Sequence, residues 1–262
     1  MTGGKKTMER IVEVEHLSKI YGRKSNPTKV LENISFTVDK GEFVGIMGPS
    51  GAGKTTLLNM LSTIDQPTVG SIKVGNQDIT RMKEKKLSDF RRKELGFIFQ
   101  DFNLMNSLTV KDNILLPLAL DRVPVKEMEA RLEHVAKILG IESRLHAYPV
   151  DISIGQKQRV AAARAMITHP QLILADEPTG SLDSKSATEL LHYLSRLNEE
   201  EKATIIMVTH DAFTASYCHR ILFIKDGAIF SEIVRQGSRK EFFQKVIDMQ
   251  AAIGGGVSHD VV

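Results

Sequence analysis

Apolar and polar residues alternate over residues 11–17, the period-two pattern of a strand with one buried face, and residues 34–38 and 43–47 give two more strands. The chain therefore opens as antiparallel β structure. After Gly53 the pattern turns helical through Leu61, then residues 71–79 return to strand, with Gly70 and the Gly75-Asn76 pair marking turns. Between residues 101 and 170 no strand is predicted, while helical periodicity runs through residues 125–139 and 155–167, so a helical subdomain over about 101–170 is expected to be inserted in the sheet. Residues 171–175, 203–208 and 220–224 are short apolar runs rich in β-branched residues, as strands buried on both faces of a parallel sheet are. A helix over residues 184–198 separates the first two, and Asp226-Gly227 predicts a hairpin onto residues 228–234. This alternation predicts an α/β fold: a mixed, mainly parallel sheet with an antiparallel β subdomain at the start and the helical insertion in the middle. One domain over residues 11–250 is expected, with residues 1–10 and 251–262 as flexible termini.

Composition narrows the class. A chain of 262 residues, 42% hydrophobic and 26% charged, can bury the core of one large α/β domain. Its longest apolar run, residues 114–120, is broken by Pro117 and falls far short of the roughly eighteen residues a membrane-spanning helix needs. Residues 1–10 lack the apolar centre of a secretory signal, and Cys218 is the single cysteine, so a cytoplasmic setting is expected. The net charge of +3 is spread along the chain, and no nucleic-acid partner is implied. Lysines 83, 85 and 86 and the basic run at residues 91–93 are interleaved with Glu84 and Glu94. They read as a solvated helix face, or as a contact for anionic lipid or a membrane partner.

Chemistry enters with Gly48, Pro49, Ser50, Gly51, Ala52, Gly53, Lys54 and Thr55, which fit G-x-x-x-x-G-K-[ST] between a predicted strand and a predicted helix. In such a loop the backbone N–H groups turn inward on triphosphate oxygens and the following helix adds its positive end. Lys54 is expected to reach the β- and γ-phosphates, Thr55 to place its hydroxyl on Mg²⁺, and Thr56 to complete the nucleotide-binding set. A second buried strand ends in Asp176 and Glu177, two adjacent carboxylates that one strand end aims at one place. Asp176 suits the Mg²⁺ shell and Glu177 a base for the attacking water, against the plainer reading of an N-capping pair. His210 follows the strand at 203–208, at the carboxyl edge where such sheets bind ligands, and suits a γ-phosphate contact. Gln100 ends a predicted strand over residues 96–99, and its neutral amide can touch both metal and water.

Taken together and in this order, these residues resemble the ATP-binding-cassette ATPases, over about residues 11–249. The resemblance implies a P-loop NTPase that binds ATP and Mg²⁺ and hydrolyses ATP to drive a transmembrane permease, sitting on the inner face of the membrane through that permease. It makes Tyr21 the ring that stacks on adenine, Ser153, Gly155 and Gln156 the signature that reaches ATP bound by a second copy of the chain, and Asp183 the residue that couples the two sites. One position departs from the family's Leu-Ser-Gly-Gly-Gln: this chain reads Ile152-Ser153-Ile154-Gly155-Gln156. A β-branched residue cannot adopt positive φ without strain, so Ile154 either keeps ordinary backbone geometry or reshapes the loop, and weakened closure or slow turnover is expected.

Residues 97–104 and 175–183 are similar to the branch holding macrolide, lipoprotein-releasing and cell-division exporters. Residues 113–118, 216–218 and 224–227 resemble the bacitracin and lantibiotic resistance exporters of Gram-positive bacteria. That similarity implies export of antimicrobial peptides and a sensor histidine kinase coupled through the permease. A cell-division or lipoprotein-release ATPase, and a non-transport ATPase of DNA repair or translation, are the competing readings.

Overall fold

The computed structural model describes residues 9–23 and 26–254. The chain runs through β1 (Arg10–Tyr21), β2 (Thr28–Asp39), β3 (Phe43–Met47), α1 (Lys54–Leu61), β4 (Val69–Val74), β5 (Gln77–Asp78), α2 (Glu84–Glu94) and β6 (Leu95–Ile98). It continues through α3 (Val110–Leu120), α4 (Val125–Leu139), α5 (Ile154–Met166), β7 (Leu172–Asp176), α6 (Ser184–Glu201) and β8 (Ile205–Val208). It closes with α7 (Ala212–Ala215), β9 (Arg220–Lys225), β10 (Ala228–Val234) and α8 (Arg239–Ile253).

Two sheets form. An antiparallel sheet has the order β2-β1-β4-β5, and a six-stranded sheet has the order β10-β9-β3-β8-β7-β6. In the second sheet every pairing is parallel except β9 with β10, which the Asp226-Gly227 hairpin makes antiparallel. Because side chains alternate across a strand, each buried strand feeds two cores. On one face Ile173, Ala175, Ile205 and Met207 pack with α3, α4, α5, α6 and α8. On the other, Leu172, Leu174, Ile206 and Val208 pack with α1 and the inner face of the antiparallel sheet. The near-continuous apolar runs of β3, β7 and β8 follow from this burial on both sides.

Several boundaries differ from the sequence pattern for physical reasons. β1 continues four residues past Leu17, because His16 adopts φ 49° and shifts the register, which breaks the alternation by which a strand is recognised. The strand expected over residues 71–79 ends at Val74 and resumes only as β5; Asp78 then accepts from the Thr80 N–H at 3.1 Å and starts a 3₁₀ turn. α8 has no counterpart in the expected elements. It runs three residues past the expected domain end at 250, and Ile253 is buried. Of the expected flexible termini, residues 1–8 and 255–262 lie outside the described residues.

The helices after β6 are locked to the sheet where Gly96 meets α5: a Cβ at Gly96 would lie 2.3 Å from the Ala165 carbonyl oxygen. Gly96→Ala is therefore expected to destabilise the chain by about 2–3 kcal/mol, read from the urea midpoint at constant slope. A change below about 0.5 kcal/mol contradicts this packing.

Candidate functional site

β3 ends inside the sheet, and the chain must turn at once to start α1. Gly48 makes that possible by close approach, since a Cβ there would lie 2.1 Å from the Ile224 carbonyl oxygen. Gly53, at φ 98°, is the N-cap of α1 and supplies no side-chain capping bond. The first N–H groups of a helix have no partner within it, so this uncapped start, with its partial positive charge, is built for an anion. Lys54 is buried, and its ammonium donates to the carbonyls of Gly48 (2.8 Å) and Pro49 (2.9 Å). Burial lowers its pKa, opposed by the nearby Glu177 and Asp176 carboxylates.

Those carboxylates arrive on β7. Asp176 is half-buried and its pKa is raised, first by burial and then by Glu177, with Lys54 acting the other way. The Glu177 N–H donates to the Val208 carbonyl at 2.9 Å, extending the ladder, while Glu177 itself sits at φ 43°. A left-handed backbone costs a non-glycine residue about 1–2 kcal/mol and is kept where the surroundings enforce it. The result aims the Glu177 carboxylate at His210 on the next strand end, Oε1 standing 3.0 Å from Nδ1. Glu177, His210, Lys54, Thr55, Thr56 and the loop from Gly48 line one cavity of about 730 Å³.

The other expected residues lie outside that lining. Gln100 follows the end of β6 by two residues, with its amide against the backbone at Gly180: a Cβ there would come 3.1 Å from Nε2. Tyr21, at the end of β1, is 40% exposed. Its hydroxyl donates to Asp65 at 2.5 Å and the Lys19 ammonium lies 4.7 Å from its ring centroid. Its pKa is raised by burial and by Asp65. Ser153 is the N-cap of α5 in a reciprocal box with Gln156: Gln156 N–H donates to Ser153 Oγ at 3.2 Å and Ser153 N–H to Gln156 Oε1 at 2.9 Å. Gly155 packs on Ser186, whose hydroxyl donates to Asp183, the N-cap of α6, at 2.7 Å. The bonds from Ser186, with that from the Lys185 N–H, lower the Asp183 pKa. Ser153, Gly155, Gln156 and Asp183 thus form a second group, at two helix starts, and none of them lines the cavity beside Lys54.

Ile154 is the first residue of α5, with ordinary negative φ and 52% exposure, so of the two alternatives the structure takes the unstrained one. Residues the sequence pattern did not offer also line the cavity beside Lys54: Val30, Phe223, Gln250, Ile253 and Gly254. α8 announces itself only through Ser238 and Glu241, a capping box, and the buried Phe242, Val246 and Ile253.

The family model for ABC transporters matches residues 31–180. The chain is 53% identical over 246 residues to the bacitracin export ATP-binding protein BceA of Halalkalibacterium halodurans, covering 94% of this chain and 97% of that protein. It is 48% identical to the ABC transporter ATP-binding protein YxdL of Bacillus subtilis, covering 96% and 97%. Among solved structures it is similar to the dimeric post-hydrolysis state of the ATP-binding cassette MJ0796 bound to ADP and Pi, with TM-score 0.79, 37% identity, and coverage of 87% of this chain and 100% of that one. It is also similar to cbiO1 of Clostridium perfringens, part of the ABC transporter complex cbiONQ, with TM-score 0.80, 28% identity, and coverage of 94% and 95%.

Since Ile154 is helical and unstrained, Ile154→Gly removes no strain and weakens the first turn of α5. A loss of about 0.5 kcal/mol in urea unfolding is expected. A gain in stability contradicts the observed backbone.

Proposed function

The chain belongs to the ABC transporter family of ATP-binding, ATP-hydrolysing subunits, and on that premise we propose that two copies clasp Mg-ATP head to tail and power a permease exporting antimicrobial peptides such as bacitracin or lantibiotics. The carrying observation is the Glu177–His210 pair at 3.0 Å, in one cavity with Lys54 and the uncapped start of α1. The loop from Gly48 to Thr56 holds the phosphates by backbone N–H groups. Lys54, donating to two backbone carbonyls, is positioned to exchange those weak partners for β- and γ-phosphate oxygens. Glu177 orients the attacking water and accepts its proton, and His210 holds both Glu177 and the γ-phosphate. Tyr21, pinned through its hydroxyl by Asp65, offers its ring to adenine.

The donor set suits Mg²⁺. Thr55, Asp176 and Gln100 provide hydroxyl, carboxylate and amide oxygens, and the described residues contain no cluster of three or more His, Cys, Asp or Glu that could cage an ion by themselves. Such a partial set is what Mg²⁺ completes with water and phosphate oxygens. Thr55, Asp176 and Gln100 would hold the ion where its charge would offset that developing on the transferred phosphoryl group.

Ser153, Gly155 and Gln156 lie outside their own chain's phosphate cavity, which supports a role toward the ATP of a second copy, with Asp183 and Ser186 bracing them. No helix among the described residues is long and apolar enough to cross a membrane, so the membrane work falls to the permease, and the chain sits on it at the inner face. The groove lined by Phe97 and Phe99, just before Gln100 in the chain, and by Leu116, Pro117, Arg91 and Arg164 supports docking of an apolar permease segment. A sensor histidine kinase joins through the same permease. The name of the relative BceA supports the choice of cargo.

Glu177→Gln is expected to lower ATP turnover at least about 100-fold while leaving ATP affinity within about threefold, and to sediment as an ATP-bound dimer. Turnover within about tenfold of the parent contradicts the assigned base. In cells carrying the permease, the same substitution is expected to abolish bacitracin resistance; unchanged resistance contradicts a hydrolysis-driven exporter. Lys54→Ala is expected to weaken ATP binding at least about tenfold in an equilibrium titration, a loss of about 1.4 kcal/mol or more.

A further inference from the structure

His210 carries a side chain that packing does not hold, since 66% of it is exposed and Glu177 is its side-chain partner. Its orientation must therefore come from its backbone. On one side, the Thr209 N–H donates to the Ile46 carbonyl at 3.2 Å, which ties the residue before it to β3. On the other, Asp211 caps α7, accepting from the N–H groups of Phe213 (3.3 Å) and Thr214 (2.8 Å). The peptide between these anchors, the one bearing the His210 carbonyl, is reached from 40 residues away: Gln250 Nε2 on α8 donates to it at 2.8 Å.

The rest of α8 is arranged to keep that amide in place. At its start the Arg239 guanidinium lies over the rings of Tyr217, at 4.2 Å, and Phe213, at 5.3 Å, on and just after α7. Along its length Phe242 and Val246 are buried, and at its end Ile253 is buried as well. One helix thus spans the whole segment from His210 to Tyr217, and its last turn, with Gln250, Ile253 and Gly254, lines the cavity that holds Lys54 and Glu177.

We propose that Gln250 is a positioning residue for hydrolysis: by bonding the His210 carbonyl it fixes the His210 backbone so that Nδ1 meets the Glu177 carboxylate. This rests on the role given above to His210. Gln250 acts through His210 and not on the nucleotide, so its loss lowers the rate of the chemical step and leaves ATP binding intact. Displacement of a catalytic group by a fraction of an ångström is enough to cost an order of magnitude in rate.

The test uses the full-length chain with Gln250→Met, which keeps the length of the side chain and removes the donor without adding charge, together with Gln250→Ala, His210→Ala and the His210→Ala/Gln250→Met double variant. Thermal unfolding of each confirms that α8 stays docked. Gln250→Met and Gln250→Ala are expected to lower kcat about tenfold with KM for ATP within about twofold of the parent. The double variant is expected to be no slower than His210→Ala, since two residues acting as one unit do not add. Wild-type kcat in both Gln250 variants overturns the proposal. So does a raised KM at unchanged kcat, which makes Gln250 a nucleotide contact, or losses that multiply in the double variant. If His210→Ala alone keeps wild-type kcat, the reading of His210 itself fails, and the positioning role falls with it.

Discussion

Everything at the site follows from one constraint: α1 begins, without a capping side chain, at the carboxyl edge of a buried parallel strand. The first N–H groups of such a helix have no acceptor within it, and Lys54, Thr55 and Thr56 line the cavity there, so its partial positive charge favours an anion. Lys54 adds a cation to the same place, and its ammonium rests on two backbone carbonyls. Neighbouring strands of a parallel sheet end at the same edge, so β7 and β8 deliver Asp176, Glu177 and His210 opposite that positive centre. The strained backbone of Glu177 is maintained by the ladder bond to Val208 and by the tight turn into Gly180. Fold and chemistry are thus one arrangement, with the sheet setting where charge collects.

The other group of candidate residues stands apart from this centre. The helix starts at Ser153 and Asp183 satisfy their own first N–H groups with side-chain caps, in contrast to α1. Ser153 and Asp183 are exposed, and neither lines the cavity that holds Lys54. Ser186, packed under Gly155 and bonded to Asp183, ties these two starts together, so that on the proposed reading a movement of one displaces the other. α5 also reaches Gln100's neighbourhood, where Gln158 donates to the Phe99 carbonyl at 3.1 Å. On the proposed reading, the surface offered to a second copy is therefore linked through α5 to the loop that follows β6.

Much of this was legible in the residues. The bounds of β3 and α1 coincide with the expected ones because an all-apolar run followed by a glycine-rich turn admits little else. The Asp176-Glu177 pair and His210 were placed by strand ends alone, and these ends do converge. What escaped had no local signal strong enough to show it. The bulge at His16 hides the end of β1, and the start of α5 at Ile154 is dictated by the Ser153–Gln156 box and not by apolar spacing. α8 escaped because its few buried apolar positions are separated by charged ones, and its contact with His210 joins residues 40 apart. Tertiary contacts of that kind are set by how the sheet folds back, which no window of sequence contains.

The most direct measurement is ATPase specific activity as a function of protein concentration, read beside sedimentation of the same samples with ATP. Head-to-tail pairing predicts that specific activity falls in step with the dimer fraction on dilution. Specific activity that stays constant down to concentrations where every particle sediments as a monomer contradicts it.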